Sequence, residues 1–381
     1  MGPFIQMDKS TVQGLSFEEC TYLCRYYSHV ISPILLRELT SMLAKQDEDT
    51  QDLQRKVSTL AAKSKFGPVQ LVPSGDKLAY NNLMGAFVPM DGRLPIEGGK
   101  LCVTKDGRKG WFFDEQPEIG MLRNWGDGIF QESEIETGRE FRKIDSDIDL
   151  ETLCKAIADD LAHLPKFKSL EELMHWIDNV HFRQLEPQHL LLSAANFILR
   201  PEHIQPMLLR WAALGSPSLE KFAPYSFYFY KVNLFYILGI YFDLIKKGKK
   251  SKTHLDIQYI YYLPFSMVFT SGDKELMKIA PFFLRKNQEF VSLTELKNDF
   301  TLLNNFFKEL SEEKLKEFYL EYGPYPPDLQ ECRTCQIWKK RMNPRPPKAG
   351  ARPTPEEEKR ILEELKIFRE AVPVDPYKAP A

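Results

Sequence analysis

Between residues 267 and 310 the chain reads MVFTSGDKELMKIAPFFLRKNQEFVSLTELKNDFTLLNNFFKEL. Twice, a run of β-prone residues stops and a helical pattern starts: Met267 to Thr270 ahead of Lys274, then Glu289 to Leu293 ahead of a helix near Thr294. This alternation restricts the fold more than any other feature. Strands that alternate with helices are laid down parallel, because each crossover returns the chain to the same end of the sheet. In such a sheet, residues just past the carboxyl ends of strands converge on one crevice. The first of these strands delivers a carboxylate there, Asp273, after Ser271-Gly272. Taken alone, Asp273 reads more readily as the N-cap of the helix that follows than as a ligand.

The amino-terminal segment offers a matching feature. Phe4-Ile5-Gln6-Met7 is a short strand candidate that ends at Asp8. Ser16-Phe17-Glu18-Glu19 has the form of a capping box opening a helix through Cys20, Leu23, Tyr26 and Tyr27. His29-Val30-Ile31-Ser32 then restarts the chain, and Pro33 suits the first turn of a second helix, which carries Glu38. The opening therefore reads strand, helix, helix. Asp8 and Asp273 hold the same strand-end position, and two carboxylates brought together raise each other's pKa unless a cation neutralises them. Hard oxygen ligands suit Mg²⁺ or Mn²⁺. A further acid, Asp256, stands at the start of the helix leading into the Met267 strand, and the interval to Asp273 accommodates one helix, a turn and a strand.

Together these segments resemble the PIN-domain nucleases. The elements are a strand ending in Asp (FIQMDKS), a helix with Glu in a Pro-x-x-x-x-Glu setting (SPILLREL), a helix beginning near Asp (HLDIQYIYYLPF), and a strand closing with Thr-x-x-Asp (MVFTSGDKEL). EFVSLTEL resembles the last strand of that family's sheet. The resemblance covers roughly residues 1–48 and 251–300. It implies an α/β fold with a PIN-like parallel sheet flanked by helices, and metal-dependent hydrolysis of phosphodiester bonds in RNA or single-stranded DNA. Asp8 and Asp273 are then direct ligands of Mg²⁺ or Mn²⁺, with Glu38 and Asp256 completing the cluster or orienting metal-bound water. The products implied carry a 5′-phosphate and a 3′-hydroxyl. RNA is favoured by analogy, and a bacterial defence or toxin role is compatible with the resemblance. The alternative is a catalytically inactive PIN-like scaffold that binds protein or nucleic acid.

The remaining chain divides by texture. Residues 1–48 and 251–322 form the discontinuous core, 65–147 a strand-rich insertion full of Gly and Pro, 148–250 a helical lobe packing on the core, and 323–381 a Pro-rich linker with a final helix. The aromatic stretch at 225–245 is interrupted by Lys231, Asn233 and Asp243, so it reads as a buried helix and not as a membrane span. The insertion or the tail is a candidate surface for a protein partner or a homo-oligomer.

With 51 basic and 53 acidic residues the formal charge is −2, so any polyanion site must be local. The run KKGKKSK, with Lys249, Lys250 and Lys252, stands just before Asp256 and is placed to bind backbone phosphates. Lys9 and Lys274 flank proposed ligands, and Ser10 with Thr11 lies where a helix start holds a phosphate or a cap. Six scattered cysteines fit reduced thiols in a cytoplasm, and MGPFIQMDKS lacks the pattern of a secretory leader. Cys332 and Cys335 supply half of a zinc-site spacing without a second pair nearby.

Overall fold

The computed structural model describes residues 2–45, 48–64, 69–95, 99–113, 116–147, 164–245, 252–343 and 354–373. Its strands, in chain order, are β1 (Phe4–Met7), β2 (Ser28–Ile31), β3 (Val69–Leu71), β4 (Lys100–Val103), β5 (Lys109–Phe112), β6 (Val268–Ser271), β7 (Glu289–Ser292) and β8 (Val372–Pro373). Five of them form one sheet in the order β3-β2-β1-β6-β7, and every pair in it is parallel. The chain builds outward from β1 to β3 on one side, then returns to the other side of β1 for β6 and β7. The carboxyl ends of β1 and β6 therefore flank the point where the strand order reverses, the place where open α/β sheets bind ligands.

Local sequence explains the elements around that point. β2 and β6 are buried along their whole length, as strands covered on both faces must be. Asp8 caps helix Lys9–Gly14 by accepting from the Thr11 amide. Ser16 and Glu19 complete a reciprocal capping box on helix Phe17–Tyr26. Ser32 caps helix Pro33–Leu43, whose first turn carries Pro33. Asp273 caps helix Lys274–Ile279, and Ser292 with Glu295 forms a second capping box on helix Leu293–Lys308.

Three parts of the chain depart from the sequence expectation. Residues 28–31 are a strand and not merely a restart between helices. The 65–147 segment contributes β3 to the main sheet and contains helices Gly75–Leu83, Pro117–Gly126 and Glu132–Asp147, and among its described residues the other strands are those of the β4–β5 hairpin, to which β8 adds. Its Val72, Leu78, Leu122 and Trp125 lie in the same hydrophobic cluster as Ile5 and Phe269, so this segment completes the core as well as extending it. Finally, residues 323–343 are not a linker. Helix Arg333–Arg341 buries Thr334, Cys335, Ile337 and Trp338, and Trp338 Nε1 donates to the Tyr26 carbonyl at 2.8 Å.

The first part of the expected helical lobe, residues 148–163, lies outside the described residues. Beyond it, helices Leu170–Trp176, Pro187–Ile198, Pro201–Ala213 and Pro224–Tyr241 make the helical lobe. A second cluster there gathers Leu190, Leu191, Ala194 and Trp211. Pro224–Tyr241 is the buried aromatic helix, and among the described residues no helix is long and apolar enough to cross a membrane. A short helix, Lys252–Gln258, then tightens into a 3-10 helix, Tyr259–Phe265, with every residue of the latter buried, and delivers the chain to β6.

Candidate active site at the strand ends

β1 and β6 are adjacent and in register from Ile5 opposite Val268 to Met7 opposite Thr270, so their next residues emerge side by side. Asp8 is 2% exposed. Its Oδ1 accepts from the Thr11 amide at 2.8 Å, and its Oδ2 accepts from the hydroxyls of Ser10 and Ser271, both at 2.7 Å. The two serines also tie the turns together. Ser10 Oγ accepts from the Gly272 amide at 2.9 Å, and Ser271 Oγ accepts from the Asp273 amide at 2.9 Å. A Cβ on Gly272 would stand 3.0 Å from Leu293 Cδ2 and 3.1 Å from Ser10 Oγ, so the absence of a side chain lets the two strand ends close.

Asp273 is half-buried and uses Oδ1 alone for its capping bonds, from the amides of Glu275 at 2.8 Å and Leu276 at 3.0 Å. Among the described residues its Oδ2 has no hydrogen-bond donor. Glu38 reaches the same end of the sheet from helix Pro33–Leu43, where Lys9 Nζ donates to its Oε1 at 2.7 Å and the Tyr259 hydroxyl donates to its Oε2 at 2.5 Å. Tyr259 is fixed in turn, because Gln6 Nε2 on β1 donates to its carbonyl at 2.7 Å. One turn before Tyr259 stands Asp256, half-buried and without a hydrogen-bond donor among the described residues.

Asp256 shows that the acids share one field. Its carboxyl is pushed up to about 7, first by burial and then by the negative charges of Glu38, Asp273 and Asp8, with Lys9 opposing them. A half-buried acid surrounded by three others holds its proton into the neutral range because ionisation there meets both desolvation and like-charge repulsion. The carboxylates do not stand as a preassembled metal site: among the described residues no three Asp, Glu, His or Cys side chains are grouped closely enough to hold an ion. Lys9 occupies Glu38, and Asp8 is engaged by three donors.

The other sequence candidates separate clearly. Lys9 is committed to Glu38, and Lys274 is exposed beside Asp273. The Ser10 hydroxyl and the Thr11 amide donate to Asp8, which makes them parts of its cap. Lys249 and Lys250 lie outside the described residues, and Lys252 opens the helix that carries Asp256. Cys332 caps helix Arg333–Arg341 and Cys335 lies in its first turn; both are buried, and among the described residues they belong to no group of three or more side chains able to hold a metal ion. Sequence inspection overlooked Ser271 and Tyr259. Their partners, Asp8 and Glu38, are 263 and 221 residues away, and no local pattern announces a pairing at such separations.

A scan against protein-family models, a search of curated proteins and a search of solved structures each returned no match.

Proposed function

We propose that the chain is a metal-dependent, PIN-like nuclease that hydrolyses phosphodiester bonds in RNA, or in single-stranded DNA, at the carboxyl ends of β1 and β6. The observation that carries this reading is Asp256, whose carboxyl is raised first by burial and then by the charges of Glu38, Asp273 and Asp8, at the point where the strand order reverses. Crowded acids of this kind are stabilised by a cation, and an all-carboxylate donor set matches Mg²⁺ or Mn²⁺. Asp256 and the unengaged Oδ2 of Asp273 are the groups most available to a metal. Asp8 retains acceptor capacity, since an ionised carboxylate offers about four lone-pair positions and three donors are in place. Glu38 joins the set once Lys9 releases it, and Lys9 is then free to meet a substrate phosphate. The metal supplies charge neutralisation and a more acidic bound water.

The test is cleavage of labelled single-stranded RNA and DNA with Mg²⁺, Mn²⁺ or chelator, using wild type, Asp256→Asn and Asp273→Asn. Metal contributions of several kcal/mol correspond to losses of at least about 100-fold in each variant. The products should carry 5′-phosphates. Cleavage that survives both substitutions or persists in chelator removes these acids from the reaction.

A second reading, a non-catalytic PIN-like scaffold, is favoured by the completeness of the local bonding. Asp8 and Asp273 both cap helices, and Glu38 is already paired with Lys9. Absence of cleavage with every metal in a folded protein, together with binding of the same nucleic acids, supports that reading.

A further inference from the structure

Helix Arg333–Arg341 begins with a pair of cysteines that the strand-end site does not use. Cys332 is its N-cap and is fully buried; Cys335 lies in its first turn, is 6% exposed, and is a free thiol like its neighbour. The two thiols hydrogen-bond to each other. Cys335 forms part of the wall of an open groove of about 310 Å³, whose other walls include Tyr325, Pro326, Pro327, Asp328, Trp338 and Lys339. On the opposite, buried side, Cys332 hydrogen-bonds to the carboxylate of Asp299, which is 3% exposed and also accepts from the amides of Arg333 at 2.8 Å and Thr334 at 2.6 Å. One sulfur is thus reachable from solvent, the second is in contact with the first, and a buried base is in contact with the second.

We propose that Cys332 and Cys335 form a redox-active dithiol that exchanges with small thiol disulfides of the glutathione class entering this groove, Cys335 attacking and Cys332 resolving. The ionisation preferences run the same way. The Cys335 thiol is held below its ordinary value chiefly by the hydrogen bond from Cys332, and a place in the first turn of a helix also favours a thiolate. Cys332 is pushed up, by that same hydrogen bond and by burial, so it stays protonated until it is needed. Burial raises Asp299, which makes it a better proton acceptor.

In the first step the Cys335 thiolate attacks one sulfur of R–S–S–R. The S–S bond breaks, a mixed disulfide forms on Cys335, and R–S⁻ leaves with the electron pair and is protonated by water. In the second step Cys332 gives its proton to Asp299 and its sulfur attacks Sγ of Cys335. The mixed disulfide breaks, a second R–S⁻ leaves and is protonated, and Asp299 returns its proton to solvent. The protein dithiol is oxidised by two electrons and R–S–S–R is reduced to two R–SH.

The experiment treats the native full chain with oxidised glutathione, quenches with acid, alkylates the remaining thiols after denaturation, and maps adducts by peptide mass spectrometry. The expected result is loss of both alkyl labels from the peptide containing Cys332 and Cys335, with an internal disulfide there, while Cys20, Cys24 and Cys102 remain labelled. Cys332→Ser should accumulate the glutathione adduct on Cys335, and Cys335→Ser should leave Cys332 unmodified. The proposal is overturned if wild type keeps both labels, if a mixed disulfide persists without ring closure, or if the adduct collects on Cys332. The wild-type partition between internal and mixed disulfide decides the matter even where a serine variant does not fold.

Discussion

Asp256 is the side chain through which the strand-end site reports on itself. Its carboxyl sits at about 7, against 3.8 for an unperturbed aspartate. Between those values the folded protein holds a proton that the unfolded chain has released, so metal-free protein loses stability as pH rises from about 4 to about 7, and the penalty is complete above that range. Each tenfold change in ionisation is worth about 1.4 kcal/mol, and partial exposure with solvent screening reduces the net penalty to on the order of 2 kcal/mol. Asp256→Asn is therefore expected to stabilise the chelated protein by that amount at pH 8 and by almost nothing at pH 4, as read by urea unfolding at both pH values. Mg²⁺ should raise the stability of wild type more than that of the variant. Equal pH slopes for the two proteins would separate Asp256 from its neighbours. Asp8 and Asp273 were legible in the sequence because each stands just past a strand end, whereas Glu38 lies in the middle of helix Pro33–Leu43 and Asp256, expected at a helix start, lies in the second half of helix Lys252–Gln258, so those two were marked only by the family resemblance. The bonds that order the acids were not legible, since Ser271 and Tyr259 owe their roles to partners that only the fold brings near.

At the scale of elements, the helix that carries Glu38 is braced by the segment that sequence texture set apart. Helix Glu132–Asp147 packs along Pro33–Leu43, Arg37 pairs with Asp145 across the contact, and the two helices approach closely at Gly138. A Cβ at Gly138 would stand 2.4 Å from the Thr40 carbonyl oxygen and 3.1 Å from Ala44 Cβ. Two effects oppose each other in Gly138→Ala. Alanine is favoured over glycine inside a helix by about 1 kcal/mol, while overpacking of a tight contact costs roughly 1–3 kcal/mol. The obstructing atom belongs to backbone and cannot swing aside, so overpacking wins. The variant should unfold at lower urea concentration by about 1–2 kcal/mol and, through the shift of Glu38, lose part of any metal-dependent cleavage; an unchanged or raised midpoint refutes the close packing. Strand recognition failed in this neighbourhood for a related reason. β2 is short and buried along its length, so it shows no alternation of polar and apolar residues, while β3 was read only as part of the strand-rich insertion because nothing local shows that it joins the edge of the main sheet. β6 and β7 were legible because each runs straight into a helix with a clear cap.

For the whole molecule, the tail divides into one part that belongs to the core and one that does not. Proline-rich text on both sides makes residues 323–343 look like a linker, and only a narrow stripe of helix Arg333–Arg341 is apolar. That stripe is nevertheless in the main cluster, with Cys332, Cys335, Ile337 and Trp338 all buried. Glu289, at the start of β7 and 7% exposed at its side chain, is paired with Arg333 at 2.7 Å, Lys340 at 2.9 Å and Arg341 at 3.4 Å. Helix Pro355–Arg369 differs, leaving Ile361, Leu362 and Leu365 exposed before the chain reaches β4 through β8. Two truncations should separate these parts. Ending the chain after Asn343 removes β8 from the edge of β4 and, among the described residues, little else that is buried, so cooperative thermal unfolding of the main sheet should persist with a modest shift. Ending it after Gly323 uncovers the surfaces that Ile337 and Trp338 seal, at about 1.5–3 kcal/mol each, and strands the Glu289 carboxylate, at about 3–5 kcal/mol for a broken buried pair. The sum rivals the roughly 5–15 kcal/mol that holds an ordinary domain folded. Circular dichroism melts of the two truncated chains should therefore show one cooperative transition for the longer and none for the shorter, and a native-like melt from the shorter would place helix Arg333–Arg341 outside the folding unit.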